Sequence, residues 1–154
     1  MQKVLIAIAG LLATTSPALA DTVVIRAGAV LADAASEPTG PATITVTDGR
    51  IVSVVPGSPA VSAGTREIDL STKTVVPGLI DLHVHLTSEP GSDYRNEAVE
   101  PDEWGMMVGT KNALLTLKAG FTTVREAGSA QYTAFSLRRG TAEGLIAGPR
   151  IVAA

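Results

Sequence analysis

Val75-Val76-Pro77-Gly78-Leu79-Ile80-Asp81-Leu82-His83-Val84-His85-Leu86 carries both histidines of the 154-residue chain, two positions apart at the end of an apolar, β-prone run. Side chains at i and i+2 of a strand share a face, so His83 and His85 are expected to project together while Val84 faces away. Two neutral imidazoles converging at a strand's end make half of a metal site, because imidazole is a good zinc ligand. By themselves the two residues also fit a plainer reading, as ordinary polar groups on a half-buried strand.

Downstream of this stretch the pattern alternates. Leu79 to Leu86 predicts a strand apolar enough for burial on both faces, as in a parallel sheet, and Thr87 to Asp102 a long polar loop rich in acids. Trp104, Met107, Val108, Lys111, Leu114, Leu115 and Lys118 fall at helical spacing, and Gly120 supplies the C-terminal stop. Phe121 to Arg125 reads as a second strand and Tyr132 to Arg139 as a second helix. Gly148-Pro149 marks a turn before a third strand, Arg150 to Ala153. Strand-helix-strand order implies right-handed βαβ units and an α/β fold built on a parallel sheet.

Upstream the character is all β. Thr22 to Arg26 opens a strand that Ala29 to Leu31 continues past an irregularity at Gly28. Thr43 to Thr47 and Arg50 to Val55 flank Asp48-Gly49, a strong hairpin signal because a type I′ turn needs two residues at positive φ. Gly57 to Gly64 is a loop and Arg66 to Leu70 a short strand. Residues 21–77 are therefore expected to form a small antiparallel β domain.

Residues 1–20 have the layout of a secretory signal peptide: Lys3, an apolar run from Val4 to Ala13, and Ala18-Leu19-Ala20 before a cleavage point between Ala20 and Asp21. That run is shorter than the roughly 20 residues needed to span a bilayer. Export to the periplasm is the expectation, with no membrane anchor after cleavage. Lys3 is the one charged residue before Asp21, so of 12 basic and 15 acidic residues the remainder carries 11 and 15, a net charge of −4. So mild a charge favours neither nucleic acid nor an anionic membrane as partner. The absence of cysteine excludes disulfides, thiolate ligands and a lipid anchor on cysteine.

Pro77-Gly78-Leu79-Ile80-Asp81-Leu82-His83-Val84-His85 resembles the amidohydrolase superfamily signature that ends the first strand of a (β/α)₈ barrel. Asp48-Gly49-Arg50-Ile51 is similar to a hairpin in the flanking β domain of many members. Ala119-Gly120-Phe121-Thr122-Thr123-Val124-Arg125 and Gly148-Pro149-Arg150-Ile151 resemble segments of the imidazolonepropionase-like and Xaa-Pro-dipeptidase-like branch. Glu126 departs from that branch, which usually has Asp there. The resemblance implies the start of a TIM barrel over residues 78–154. A complete barrel takes about 250 residues, so the chain is expected to be the N-terminal part of a longer enzyme.

By the same resemblance, His83 and His85 would be the first ligands of a centre holding one or two divalent ions, most naturally Zn²⁺. The other ligands, often a carboxylated lysine, two histidines and an aspartate that shuttles the proton, would lie beyond Ala154. Asp81, Arg125 and Glu126 are candidates for support behind the ligands. For Arg125 and Glu126 a buried ion pair or a loop-anchoring contact is expected ahead of a substrate role. Tyr94 and Arg95 are expected to be solvated loop positions first and substrate contacts second, and Trp104 is expected to pack. The implied activity is hydrolysis of a C–N bond in a small-molecule or dipeptide-like substrate. A Xaa-Pro dipeptide comes first and a cyclic amide second. The rival from another class is an exported, non-catalytic barrel that has lost the later ligands. Oligomeric state is left open.

Overall fold

The computed structural model describes residues 21–93, 95 and 98–154. The leader expected over residues 1–20, and Tyr94, lie outside the described residues. The described chain divides into two units, one ending at Val76 and the other beginning at Pro77.

The first unit is a four-stranded sheet of β1 (Thr22–Val30), β2 (Ala42–Thr47), β3 (Arg50–Pro56) and β4 (Arg66–Val75), in the order β3-β2-β1-β4. Asp48 and Gly49 sit at φ 50° and 73°, the left-handed pair that lets a two-residue turn follow the twist of its strands. The expected antiparallel module is in fact mixed: β1 pairs antiparallel with β2 but parallel with β4. Alternation of apolar residues is the same for either direction, so it could not distinguish them. The 57–65 connection carries the chain back across the sheet, and β4 then runs alongside β1. β4 also continues five residues past Leu70, because the register with β1 shifts at Gly28 and pairing resumes at Ala29 and Val30. Ala27, Val30, Ala42 and Ile44 form the buried cluster of this unit.

The second unit alternates β5 (Leu79–Val84), α1 (Asp102–Lys118), β6 (Phe121–Glu126), α2 (Thr133–Ala142) and β7 (Arg150–Ala153). Its three strands pair in parallel in the order β5-β6-β7. α1 has Asp102 and Glu103 in its first turn and Lys118 in its last, each complementing the helix dipole. Gly120, at φ 98°, follows the C-cap Ala119 and turns the chain into β6. Leu86, Ala113, Val124, Leu137 and Ile151 form the core between sheet and helices, with Val84, Met106, Phe121 and Ile146 against it.

The face of α1 that packs is only partly the expected one, sharing Val108 with the expected stripe. Val108, Gly109 and Ala113 are buried, whereas Trp104, Met107, Leu114 and Leu115 are exposed. The helix turns its small residues inward, where Gly109 meets Leu137 of α2 and Thr87 of the loop after β5, and most of the larger apolar side chains lie on the neighbouring face. Trp104 is thus not a core residue of the described unit. No described helix is long and apolar enough to cross a membrane.

Candidate metal centre

Pro77-Gly78 leads into β5 with no room for a side chain. A Cβ on Gly78 would stand 2.2 Å from Thr122 Oγ1 and 2.3 Å from its Cγ2, so glycine permits the close approach of the two strands. β5 pairs Asp81 with Val124 and Val84 with Glu126, which leaves Leu82 and His83 opposite the single residue Arg125. This is a β-bulge, a device that re-aims side chains at strand ends. The strand stops at Val84 instead of running to Leu86, and His85 is the first residue beyond it.

The bulge puts Asp81 and His83 out of phase. Asp81 pairs with the buried Val124 and lines a groove of about 390 Å³ together with His85, Asn112, Thr116 and Phe121. Its Oδ1 accepts the backbone N–H of His83 at 2.9 Å. Asp81 therefore holds the bulged backbone at His83. A second groove, about 790 Å³ between α2 and β7, is lined by neither histidine.

His83 Nε2 and His85 Nε2 stand 3.3 Å apart, with ring planes at 66°. His85 Nδ1 is 2.8 Å from the carbonyl oxygen of Gly128. A carbonyl only accepts, so Nδ1 carries the hydrogen and Nε2 of the neutral ring presents its lone pair towards His83. Two nitrogens bound to one tetrahedral cation at 2.0–2.1 Å lie about 3.3–3.4 Å apart. The spacing and the fixed tautomer suit a shared divalent cation. Among the described residues no group of three or more His, Asp or Glu side chains is placed to hold an ion.

Behind His85, Glu126 is buried to 1% exposure. Its Oε2 accepts the N–H of Leu86 at 2.6 Å and its Oε1 accepts the N–H of Gly128 at 3.2 Å. Oε1 also lies 3.6 Å from His85 Nδ1. Of the two roles expected for this residue, the structure places it as a loop anchor. Arg125 and Glu126 form no ion pair with each other: neighbours on one strand face opposite sides, and Arg125 is exposed. The Arg125 guanidinium is 3.5 Å from the carbonyl of Leu82, at the outer limit of a hydrogen bond. Arg95 donates its backbone N–H to Asp93 at 2.9 Å.

Two participants escaped the sequence. Asn112 donates through Nδ2 to the carbonyls of Leu86 at 2.8 Å and Ser88 at 3.1 Å, pinning the loop after β5 from the helix side. A polar residue beside the helix's small, buried positions was the available signal. Gly128 acts through its backbone carbonyl, which leaves no trace in residue type.

A model of the amidohydrolase family matches residues 74–154. The chain is 39% identical over 79 residues to a dihydroorotase of Trichlorobacter lovleyi, covering 51% of this chain and 16% of that protein. It is 44% identical over 55 residues to an allantoinase of Streptomyces avermitilis, covering 36% and 12%. Among solved structures it superposes on a Xaa-Pro dipeptidase with methionine bound in the active site at TM-score 0.75 and 32% identity, over 86% of this chain and 33% of that one. Molinate hydrolase superposes at TM-score 0.74 and 28% identity, over 88% and 30%. The chain thus spans about a sixth or less of these curated relatives and a third or less of these solved structures. With the family match covering the whole βαβαβ unit and the histidine-bearing strand, the chain belongs to the amidohydrolase family.

Proposed function

We propose that His83 and His85 supply the first two ligands of a divalent metal centre in an exported hydrolase of C–N bonds, whose barrel opens with β5, β6 and β7. The observation that carries this reading is the pair of Nε2 atoms 3.3 Å apart, one of them held as a lone-pair donor by the Gly128 carbonyl. Imidazole ligands and a cysteine-free chain suit zinc, one or two ions per full-length protein. The chemistry that a divalent cation bound there would supply is a water of lowered pKa, near about 7, and a polarised carbonyl. The chain's own part is positional: Asp81 holds the backbone of His83, and Gly128 holds the ring of His85. The strand ends that carry these residues correspond to the face where barrel enzymes place their chemistry.

For the substrate we favour a small amide or dipeptide with Xaa-Pro first, on the likeness to the Xaa-Pro dipeptidase over 86% of this chain. A cyclic amide is the second reading, favoured by the dihydroorotase and allantoinase among the curated relatives. The protein would act in the periplasm after loss of residues 1–20, on a small molecule and without nucleic acid or a membrane anchor.

The test is metal content and turnover of the purified full-length protein. One or two tightly held divalent ions, and hydrolysis of Xaa-Pro dipeptides that a chelator abolishes and added zinc restores, are expected. Hydrolysis of cyclic amides alone would select the second substrate class. A metal-free protein inert on both classes would overturn the enzyme reading in favour of the non-catalytic barrel.

A further inference from the structure

We infer that Glu126 is the positioning residue of this site: its one buried carboxylate holds both the loop that carries His85 and the carbonyl that selects the His85 tautomer. The inference rests on the metal-centre reading above and adds the device that shapes it. Oε2 accepts the N–H of Leu86, the residue after His85, at 2.6 Å. Oε1 accepts the N–H of Gly128, whose own carbonyl takes the His85 Nδ1 hydrogen at 2.8 Å. Ligand and orienting acceptor come from the ends of two different strands, and the carboxylate hydrogen-bonds to both segments. Its further approach to His85 Nδ1, 3.6 Å, adds negative charge behind the ring and favours the hydrogen on that nitrogen.

Three N–H groups therefore face this carboxylate, and a carboxylate is the side chain that can only accept. An amide in its place offers one acceptor oxygen and turns its NH₂ against another donor. Glu126→Gln keeps the volume and removes this function. Glu126→Asp keeps both acceptor oxygens but withdraws them by one methylene, so it is expected to fall between wild type and Glu126→Gln.

The experiment uses the full-length protein, with zinc affinity measured by chelator competition and the His85 tautomer followed by ¹⁵N spectra of the metal-free form. Glu126→Gln is expected to weaken zinc binding about 10- to 100-fold and to convert a single Nδ1–H tautomer into a mixture. Val124→Ala, two residues earlier on β6 and in the core, should lower Tm without changing zinc affinity. A Glu126→Gln affinity within twofold of wild type would overturn the inference, as would an equal loss in Val124→Ala. Should Glu126→Gln fail to fold, Glu126→Asp decides: weaker zinc binding supports the inference and unchanged binding overturns it. A wild-type protein that binds no zinc would instead overturn the metal centre itself.

Discussion

The carboxylate of Asp81 accepts the backbone N–H of His83 at 2.9 Å inside the bulge of β5. A bulge takes a residue out of the regular ladder, and its N–H then needs another acceptor. Asp81 supplies one from two positions away and so makes the departure from regular pairing stable just where the histidines sit. The aspartate of the motif thus serves the geometry of the strand.

Asp81→Ala should therefore cost about 1 kcal/mol of stability, the usual scale for an N–H deprived of its partner. Asp81→Asn keeps an acceptor oxygen at the same reach and should stay close to wild type. Equilibrium urea unfolding of both variants checks the difference. Equal losses would show that charge, and not acceptance of the His83 N–H, is what matters.

Replacing either imidazole should remove the metal. On the proposed metal centre, His83→Ala and His85→Ala are each expected to lower turnover on the order of a thousandfold or more, because the water that the ion would activate is lost with it. Both rings are exposed, so the metal-free forms should keep Tm within about 4 °C of the metal-free wild type, under about 1 kcal/mol. Metal analysis beside calorimetry is the measurement. Unchanged metal content and activity in either variant would place the centre elsewhere.

Gly78 and Thr122 should be energetically coupled. Gly78→Ala drives a Cβ to 2.2 Å from Thr122 Oγ1 and should destabilise by about 1–3 kcal/mol, the range for overpacking. Thr122→Ala removes the two atoms in closest conflict, so the double variant should recover part of that loss. A double-mutant cycle in urea tests the pair. Strict additivity would mean that the strands simply move apart.

Export should begin the mature protein at Asp21, because Lys3, the apolar run to Ala13 and Ala18-Leu19-Ala20 have the layout of a cleaved leader. Intact mass of the periplasmic protein gives the answer directly. A mature species that still carries Met1 would refute it.

Local chemistry alone settled much of this protein. Asp48-Gly49 announces its hairpin because few residue pairs tolerate positive φ twice, and Gly120 marks the end of α1 for a related reason. The alternation of strands and helices after Leu79 implies parallel pairing, since a connection through a helix returns the chain in the same direction. His-x-His at a strand's end was legible as a pair of converging donors. Pairing direction in the first unit was not, because β1 shows the same apolar alternation to an antiparallel β2 and a parallel β4. The packed face of α1 was only partly legible. Gly109 and Ala113 win it by letting the helix approach Leu137 and the sheet, a steric choice invisible to a rule that counts large apolar residues. Only tertiary structure brings Glu126 and the Gly128 carbonyl, more than 40 positions downstream, to the imidazole of His85. The reason is that parallel pairing of β5 with β6 aligns their C-terminal ends, so residues remote in the chain meet around one ring.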